Sequence, residues 1–129
     1  MRLTIIPERY LPHVQGVLRI ATALLFLQHG TAKLFGVPHV AMFDGVKLIS
    51  LLGAAGVIEL VGGLLLLAGL LTRPTAFLLS GEMAVAYFLF HAGDGVFPIL
   101  NKGELAALYC FVFLYFSVAG PGRFALDKS

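Results

Sequence analysis

Residues 48–71 read LISLLGAAGVIELVGGLLLLAGLL, an almost unbroken apolar run whose one charged residue is Glu59. A bilayer core about 30 Å thick needs roughly 20 helical residues to cross it. Lipid offers no hydrogen-bond partner to backbone groups, so a spanning segment without the alternation of a barrel strand has to be helical. The run therefore predicts a membrane-spanning helix.

Three further apolar segments flank this run, at about 14–34, 75–91 and 104–119. Of the 129 residues, 59% are hydrophobic and 12% are charged, whereas roughly 25% of the residues in a soluble domain are charged. A chain this short cannot hide so much apolar surface in its own core. The composition predicts an all-α integral membrane four-helix bundle, with residues 1–129 as one transmembrane domain and 1–13 and 120–129 as lead and tail.

Turn signals separate the four segments. Gly36 and Pro38 end the first helix. The tight break at 72–74 makes the second and third helices an antiparallel hairpin, and Thr72 or Thr75 is expected to cap the third helix.

The distribution of cations predicts the orientation and excludes some functions. Five Lys and Arg residues fall on one side of the bundle and three on the other, which favours both termini in the cytoplasm. The first group is Arg2, Arg9, Arg73, Arg123 and Lys128, and the second is Lys33, Lys47 and Lys102. The net charge of +2 is scattered, so nucleic acid is not an expected partner. The single Cys110 excludes an internal disulfide.

Two acids interrupt the apolar helices. A charge at a helix centre costs on the order of 2.5–3.5 kcal/mol, so intramembrane acids usually have a function or a partner. At 1.5 Å per residue, Glu59 is expected about 17 Å deep and Glu82 about 13 Å deep, where the two could share a proton. They are interpreted either as a structural pair that fixes helix register or as proton-exchanging groups beside a ligand site.

Small residues predict which way Glu59 points. Ala55, Gly62 and Gly69 share its helical stripe, and small residues mark faces where membrane helices approach closely. Glu59 should therefore face the bundle interior. Its expected partners are Arg19, as a structural charge partner, His29, or Glu82.

The two outer connections, 36–47 and 92–103, contain apolar runs and are expected to dip back over the outer end of the bundle. The pocket beneath them would collect polar side chains. The candidate substrate-binding residues are His29, Lys33, His91, Asn101 and Glu104, with Asp94 nearby. His29 and His91 could also hold a haem iron or a metal, but no further ligand signal accompanies them, and interfacial hydrogen bonding is favoured. The tyrosines, including Tyr109, are expected to pack or to lie at interfaces.

Five stretches, in order along the chain, resemble the DoxX family. They are QHGTAKLFG at 28–36, ELVGG at 59–63 followed by GLLTR at 69–73, EMAVAYF at 82–88, FPILNKGE at 97–104, and GPGR at 120–123. The resemblance implies a small four-helix membrane protein of the kind found in bacteria and archaea, a multi-pass protein of the inner (plasma) membrane. It also implies an association with oxidoreductases, through relatives in a thiosulfate:quinone oxidoreductase and in membrane complexes linking thiol and superoxide stress enzymes. It brings no catalytic residues with it.

The leading hypothesis is a membrane subunit that offers a quinone-accessible pocket to a partner redox enzyme. The chain shows no soluble domain that could bind flavin or nicotinamide, which argues against enzyme activity of this protein alone. Glu59 and Glu82 would handle protons, while His29 and Lys33 would contact a quinone oxygen or an anionic substrate. The alternatives are a non-enzymatic scaffold for a partner complex and a small carrier, which would need homo-oligomers to enclose enough space.

Overall fold

The computed structural model describes residues 3–128, and its regular secondary structure there is entirely helical. The helices are α1 Leu11–Phe35, α2 Leu51–Ala68, α3 Thr72–Phe90, the one-turn α4 Pro98–Asn101, and α5 Glu104–Ala119. Short 3-10 turns lie at Glu8–Tyr10, Ala41–Phe43 and Ala92–Asp94. Arg2, which the predicted orientation uses, lies outside the described residues, as do Met1 and Ser129.

The all-α prediction is confirmed, and the bounds of α5 are those expected. Helix α1 begins three residues earlier than predicted, since Pro12 is well suited to a first turn. Helix α2 begins at Leu51, because the Ser50 hydroxyl accepts a hydrogen bond from the Gly53 N–H at 3.0 Å and caps the helix there. Helix α4 was not predicted from the sequence.

Three helical segments, Glu8–Phe35, Leu51–Ala68 and Thr72–Asp94, are long and apolar enough to cross a membrane. Helix α5 is apolar but shorter, with 16 residues. The described chain therefore has three candidate spans and one shorter apolar helix.

The helices pack as two pairs. Helix α1 runs along α2 and α3 runs along α5, whereas α2 and α3 contact each other much less. The core between the pairs is aromatic: the ring of Phe26 meets Phe113 edge-on at 4.9 Å and Tyr109 at 5.2 Å. This core closes the middle of the bundle.

The turn between α2 and α3 is capped from a distance. Gly69 ends α2 in the left-handed conformation, at φ 67°. The predicted cap by Thr72 or Thr75 is wrong, because the carboxylate of Asp127 accepts hydrogen bonds from the N–H groups of Leu71 and Thr72, each at 2.8 Å. Partial burial opposes the charge of Asp127, but these bonds and the charge of Arg19 outweigh it and lower the pKa of that carboxyl.

Arg19 joins α1, α2 and the C-terminal tail. Its fully buried guanidinium donates hydrogen bonds to the carbonyl oxygens of Leu66 at 2.8 Å, Pro121 at 2.5 Å, Arg123 at 3.0 Å and Phe124 at 2.6 Å. We call this end of the bundle, where residues 120–128 fold back against the start of α1 and the α2–α3 turn, the tail end. Its nearby acid is Asp127, so the prediction that Arg19 pairs with Glu59 is wrong.

We expect Arg19→Met to lower the free energy of unfolding by about 3 kcal/mol, because four carbonyl groups, two of them in fully buried hydrogen bonds, lose their donor. Unfolding in mild detergent would measure it. The matched control is Arg9→Met, at an exposed cation, for which we expect a change within about 0.5 kcal/mol. An equal loss in both variants would contradict the role given to Arg19.

Candidate functional site

A cavity of about 700 Å³ lies at the end of the bundle opposite the tail end, and we call this the cavity end. It is bordered by α1, α2, α3 and α5 and by the two outer connections, as predicted, with Met42, Phe43 and Asp94 among its lining residues. Its walls are mostly apolar. Of the lining residues on their helices, Glu59, Glu82 and Tyr109 lie farthest from the cavity end, so they form its floor.

Glu59 and Glu82 lie at the same depth. Each is eight residues from the end of its helix that borders the cavity, Leu51 in α2 and Phe90 in α3. At 1.5 Å per residue this is about 12 Å for both. The expected depths differed because the sequence analysis began α2 three residues too early. The two acids interact across the hairpin, as expected from the sequence.

Glu59 is 2% exposed and forms an ion pair with Lys33, whose Nζ lies 2.5 Å from the Glu59 Oε1. This partner of Glu59 was not predicted from the sequence, because Lys33 lies near the end of α1. The long lysine side chain reaches down to the acid, and its ammonium also lies 4.8 Å from the ring centre of Phe43 in the outer connection.

Glycine permits the approach of α1 to α2 that the ion pair needs. A Cβ atom at Gly30 would lie 2.7 Å from the backbone nitrogen of Leu60. One at Gly56 would lie 3.0 Å from the side chains of Lys33 and Leu34. The glycines near Glu59 are therefore used inside the bundle, which is the role that small residues often have in membrane proteins.

Glu82 differs from Glu59 in its partners. Both of its carboxylate oxygens are buried, and neither makes a hydrogen bond of regular geometry to another protein group. Glu82 lines the cavity beside Glu59 and interacts with Lys33 at longer range. A buried polar group without a regular partner is costly, so this carboxyl is suited to a hydrogen bond with a ligand.

His29 and Tyr109 complete the polar floor. The two rings are perpendicular, with centres 5.8 Å apart, and both line the cavity. Tyr109 is 5% exposed, whereas the sequence predicted only that it packs or lies at an interface. In the sequence Tyr109 has apolar neighbours, so nothing there indicates that it lines a cavity. Its place beside His29 depends on how α5 is oriented in the bundle.

Asn101 and His91 lie higher in the cavity and hold its rim together. The Asn101 amide donates to the Tyr87 hydroxyl and the Gly95 carbonyl, each at 3.0 Å, and its side-chain oxygen accepts from the Gly103 N–H at 2.8 Å. His91 donates from Nδ1 to the Asn101 carbonyl oxygen at 3.1 Å. Both residues line the cavity, but their bonds shape the connection at 91–103.

The structure thus gathers most of the predicted residues in one place. His29, Lys33, Glu59, Glu82, His91 and Asn101 all line the cavity. Glu104 is exposed at the start of α5 and is not a lining residue, and Arg19 lies at the tail end. Within residues 3–128, no group of three or more His, Cys, Asp or Glu side chains is placed to hold a metal ion.

These features define a class: a helical membrane protein with a buried ion pair beneath a largely apolar cavity. The sequence profile described as DoxX matches residues 15–92, and the chain belongs to the DoxX family. It is 50% identical to an uncharacterized protein of Haemophilus influenzae, over 94% of this chain and 93% of that one.

Two relatives in Escherichia coli K12 give the location. The chain is 29% identical to the inner membrane protein YqjF, over 87% of this chain and 88% of that protein. It is also 29% identical to the inner membrane protein YphA, over 87% and 86%. No solved structure matches significantly. The chain is an inner-membrane protein of the DoxX family with several candidate spans.

We expect Lys33→Met and Glu59→Gln each to lower the free energy of unfolding by about 3 kcal/mol, because each leaves its partner buried and unpaired. The double variant should lose at least about 1 kcal/mol less than the sum of the two. Unfolding of the four proteins in mild detergent gives this coupling.

The matched control is the exposed hydrogen bond between the side chains of His39 and Asp44, whose atoms are 2.8 Å apart and whose side chains are 70% and 65% exposed. Its coupling should stay below about 0.5 kcal/mol. Additive losses at Lys33 and Glu59 would contradict a buried ion pair.

Proposed function

We propose that this protein is the membrane subunit of a quinone-linked redox process, and that the cavity binds the head group of a quinone for a partner enzyme. The observation that carries the proposal is the combination of apolar walls with a polar floor at hydrocarbon depth. A quinone has the same division, with an apolar tail and a ring bearing two oxygens that accept hydrogen bonds. Its quinol form donates them.

The floor residues have roles suited to this ligand. Lys33 and His29 are donors for a ring oxygen, and Glu82 accepts a quinol O–H or, when protonated, donates to a quinone. When a quinol is oxidised to the quinone, it releases two electrons and two protons. In this proposal the partner enzyme takes the electrons, and Glu82 and Glu59 take up protons and pass them toward the cavity mouth.

An anionic substrate, the other ligand considered for Lys33, fits this site less well. Lys33 is already paired with Glu59, and Glu82 adds a second acid beside them. An anion would displace the lysine from its partner and would face the remaining carboxyls. A neutral quinone head group can bind without displacing Lys33 from Glu59.

We further propose that α5 crosses the membrane together with α4, and that both termini are cytoplasmic. Residues 98–119 make 22 residues from the start of α4 to the end of α5, close to the roughly 20 that a bilayer core needs. Reporter fusions at the C-terminus and within residues 44–47 would test the orientation. Cytoplasmic activity of the C-terminal fusion and periplasmic activity of the loop fusion are expected, and the reverse would contradict the proposal.

The scaffold hypothesis is less well supported by the contacts. It relied on small-residue stripes for binding other membrane helices, but Gly30, Gly56 and Gly62 face neighbouring helices of the same bundle. It also treated the buried charges as structural, which suits Arg19 better than Glu82, whose two oxygens make no hydrogen bond of regular geometry.

We expect Glu82→Leu to weaken the binding of a short-chain ubiquinone by about tenfold, since it removes the free carboxyl and leaves the apolar walls intact. A quinone titration followed by reduced-minus-oxidised ultraviolet spectra of protein purified in mild detergent measures the affinity. The control is Glu104→Leu, the same change at an exposed acid outside the cavity. Unsaturable binding to the parent, or equal binding to both variants, would contradict the quinone site.

Glu82→Gln separates binding from proton transfer. The amide still forms hydrogen bonds, so quinone affinity should stay within about twofold of the parent, but it cannot carry a proton. Quinone-linked respiratory activity of native membranes should then fall. Unchanged activity in both Glu82→Gln and Glu59→Gln would contradict the proton role while leaving the binding site in place.

A further inference from the structure

We propose that the gap between α2 and α3 is a lateral entrance from the lipid to this cavity, and that it holds the apolar tail of the bound ligand. The inference takes the identity of the ligand from the proposed quinone function. The location of the entrance comes from the separation of the two helices and from the side chains between them.

Helices α2 and α3 are close near their turn and are less tightly packed beyond it. At Gly62 an added Cβ would lie 2.9 Å from the Leu79 side chain, so little space remains there. Toward the cavity end, residues of both helices line the cavity instead: Ala54 and Ile58 of α2, and Val85 and Leu89 of α3. The cavity therefore extends into the space between the helices.

The same residues are exposed on the outside of the bundle. Ile58 is 44% exposed, Val85 55% and Leu89 58%, and Ala54 is also exposed. A side chain that both lines a cavity and reaches the outer surface marks a place where the cavity wall is open. This opening is apolar throughout, so lipid rather than water should fill it.

The opening lies at hydrocarbon depth. Ile58 is seven residues from the start of α2 and Val85 five residues from the end of α3. These positions lie about 10 Å and 8 Å from the helix ends at the cavity end, within the half of the bilayer core nearer to that end. A water-soluble substrate cannot reach this lateral opening through the lipid. A molecule dissolved in lipid reaches it by diffusion in the plane of the membrane.

The floor selects the part of the ligand that enters first. Glu82 and the Lys33–Glu59 pair lie below the gap and offer hydrogen bonds. The polar ring of a quinone would thus be held at the floor, while its isoprenoid tail would remain between Ala54, Ile58 and Val85. A phospholipid fits less well, since its anionic phosphate would face Glu59 and Glu82.

The test fills the gap and compares two quinones that differ only in their tails. The chain contains no tryptophan, so Phe90→Trp, in the cavity wall, provides a single fluorescent reporter that a bound quinone quenches. In this parent, Ala54→Phe and Val85→Phe each narrow the gap from one side. Val61→Phe, at a 52% exposed position of α2 outside the cavity lining, is the matched control.

We expect each gap variant to weaken saturable quenching by decylubiquinone about tenfold and to leave quenching by the tailless dimethoxy-methyl-benzoquinone within about twofold of the parent. Val61→Phe should change neither. Two gap variants on different helices keep the test decisive if one of them fails to fold, which gel filtration in detergent reveals.

The outcomes separate the two proposals. If both quinones bind and the gap variants weaken neither, or weaken both equally, the lateral entrance is wrong and the quinone site stands. If neither quinone quenches the parent saturably, the quinone function is wrong and this inference falls with it. A loss confined to the tailed quinone supports both.

Discussion

The buried guanidinium of Arg19 is the constraint on which the bundle depends. A charge inside a membrane protein has to be satisfied internally, and this one is satisfied by carbonyl groups of α2 and of the tail rather than by an acid. The four bonds draw α1, α2 and residues 120–128 together. Asp127, which lies in that tail, then caps α3. One arginine thereby leads to the closure of the whole tail end.

Closure at one end leaves the other end open. Because α2 and α3 are joined by a tight turn beside the tail, any separation between them has to appear toward the cavity end. The core rings of Phe26, Phe113 and Tyr109 fill the middle of the bundle, and above them the helices enclose the cavity. The ion pair of Lys33 with Glu59 holds α1 to α2 there. Between α2 and α3, Glu59 and Glu82 interact, but Glu82 makes no hydrogen bond of regular geometry.

The cavity combines a tightly held charge pair with a carboxyl that is free to respond. Glu59 is fixed by Lys33, whereas Glu82 lies beside it without a regular hydrogen bond. Two acids and one base in a low dielectric hold at least one exchangeable proton between them. In the proposed quinone site, a ligand that donates or accepts a hydrogen bond there would change where that proton lies.

The sequence by itself determined that the protein lies in lipid, where its helices are, and which charged residues lie within them. The segment at 104–119 and the end of the first helix at Gly36 were predictable, because hydropathy and turn chemistry act over a few residues. A charged residue within an apolar run is likewise recognised from the sequence alone. The partners of those charges depended on the tertiary structure. Lys33 reaches Glu59 only because Gly30 and Gly56 let two helices approach. Arg19 finds three of its four acceptors more than 100 positions away, and Glu104 lies outside the cavity. Such pairings depend on how each helix is rotated about its axis and on the path of the tail. Neither can be predicted from a single sequence.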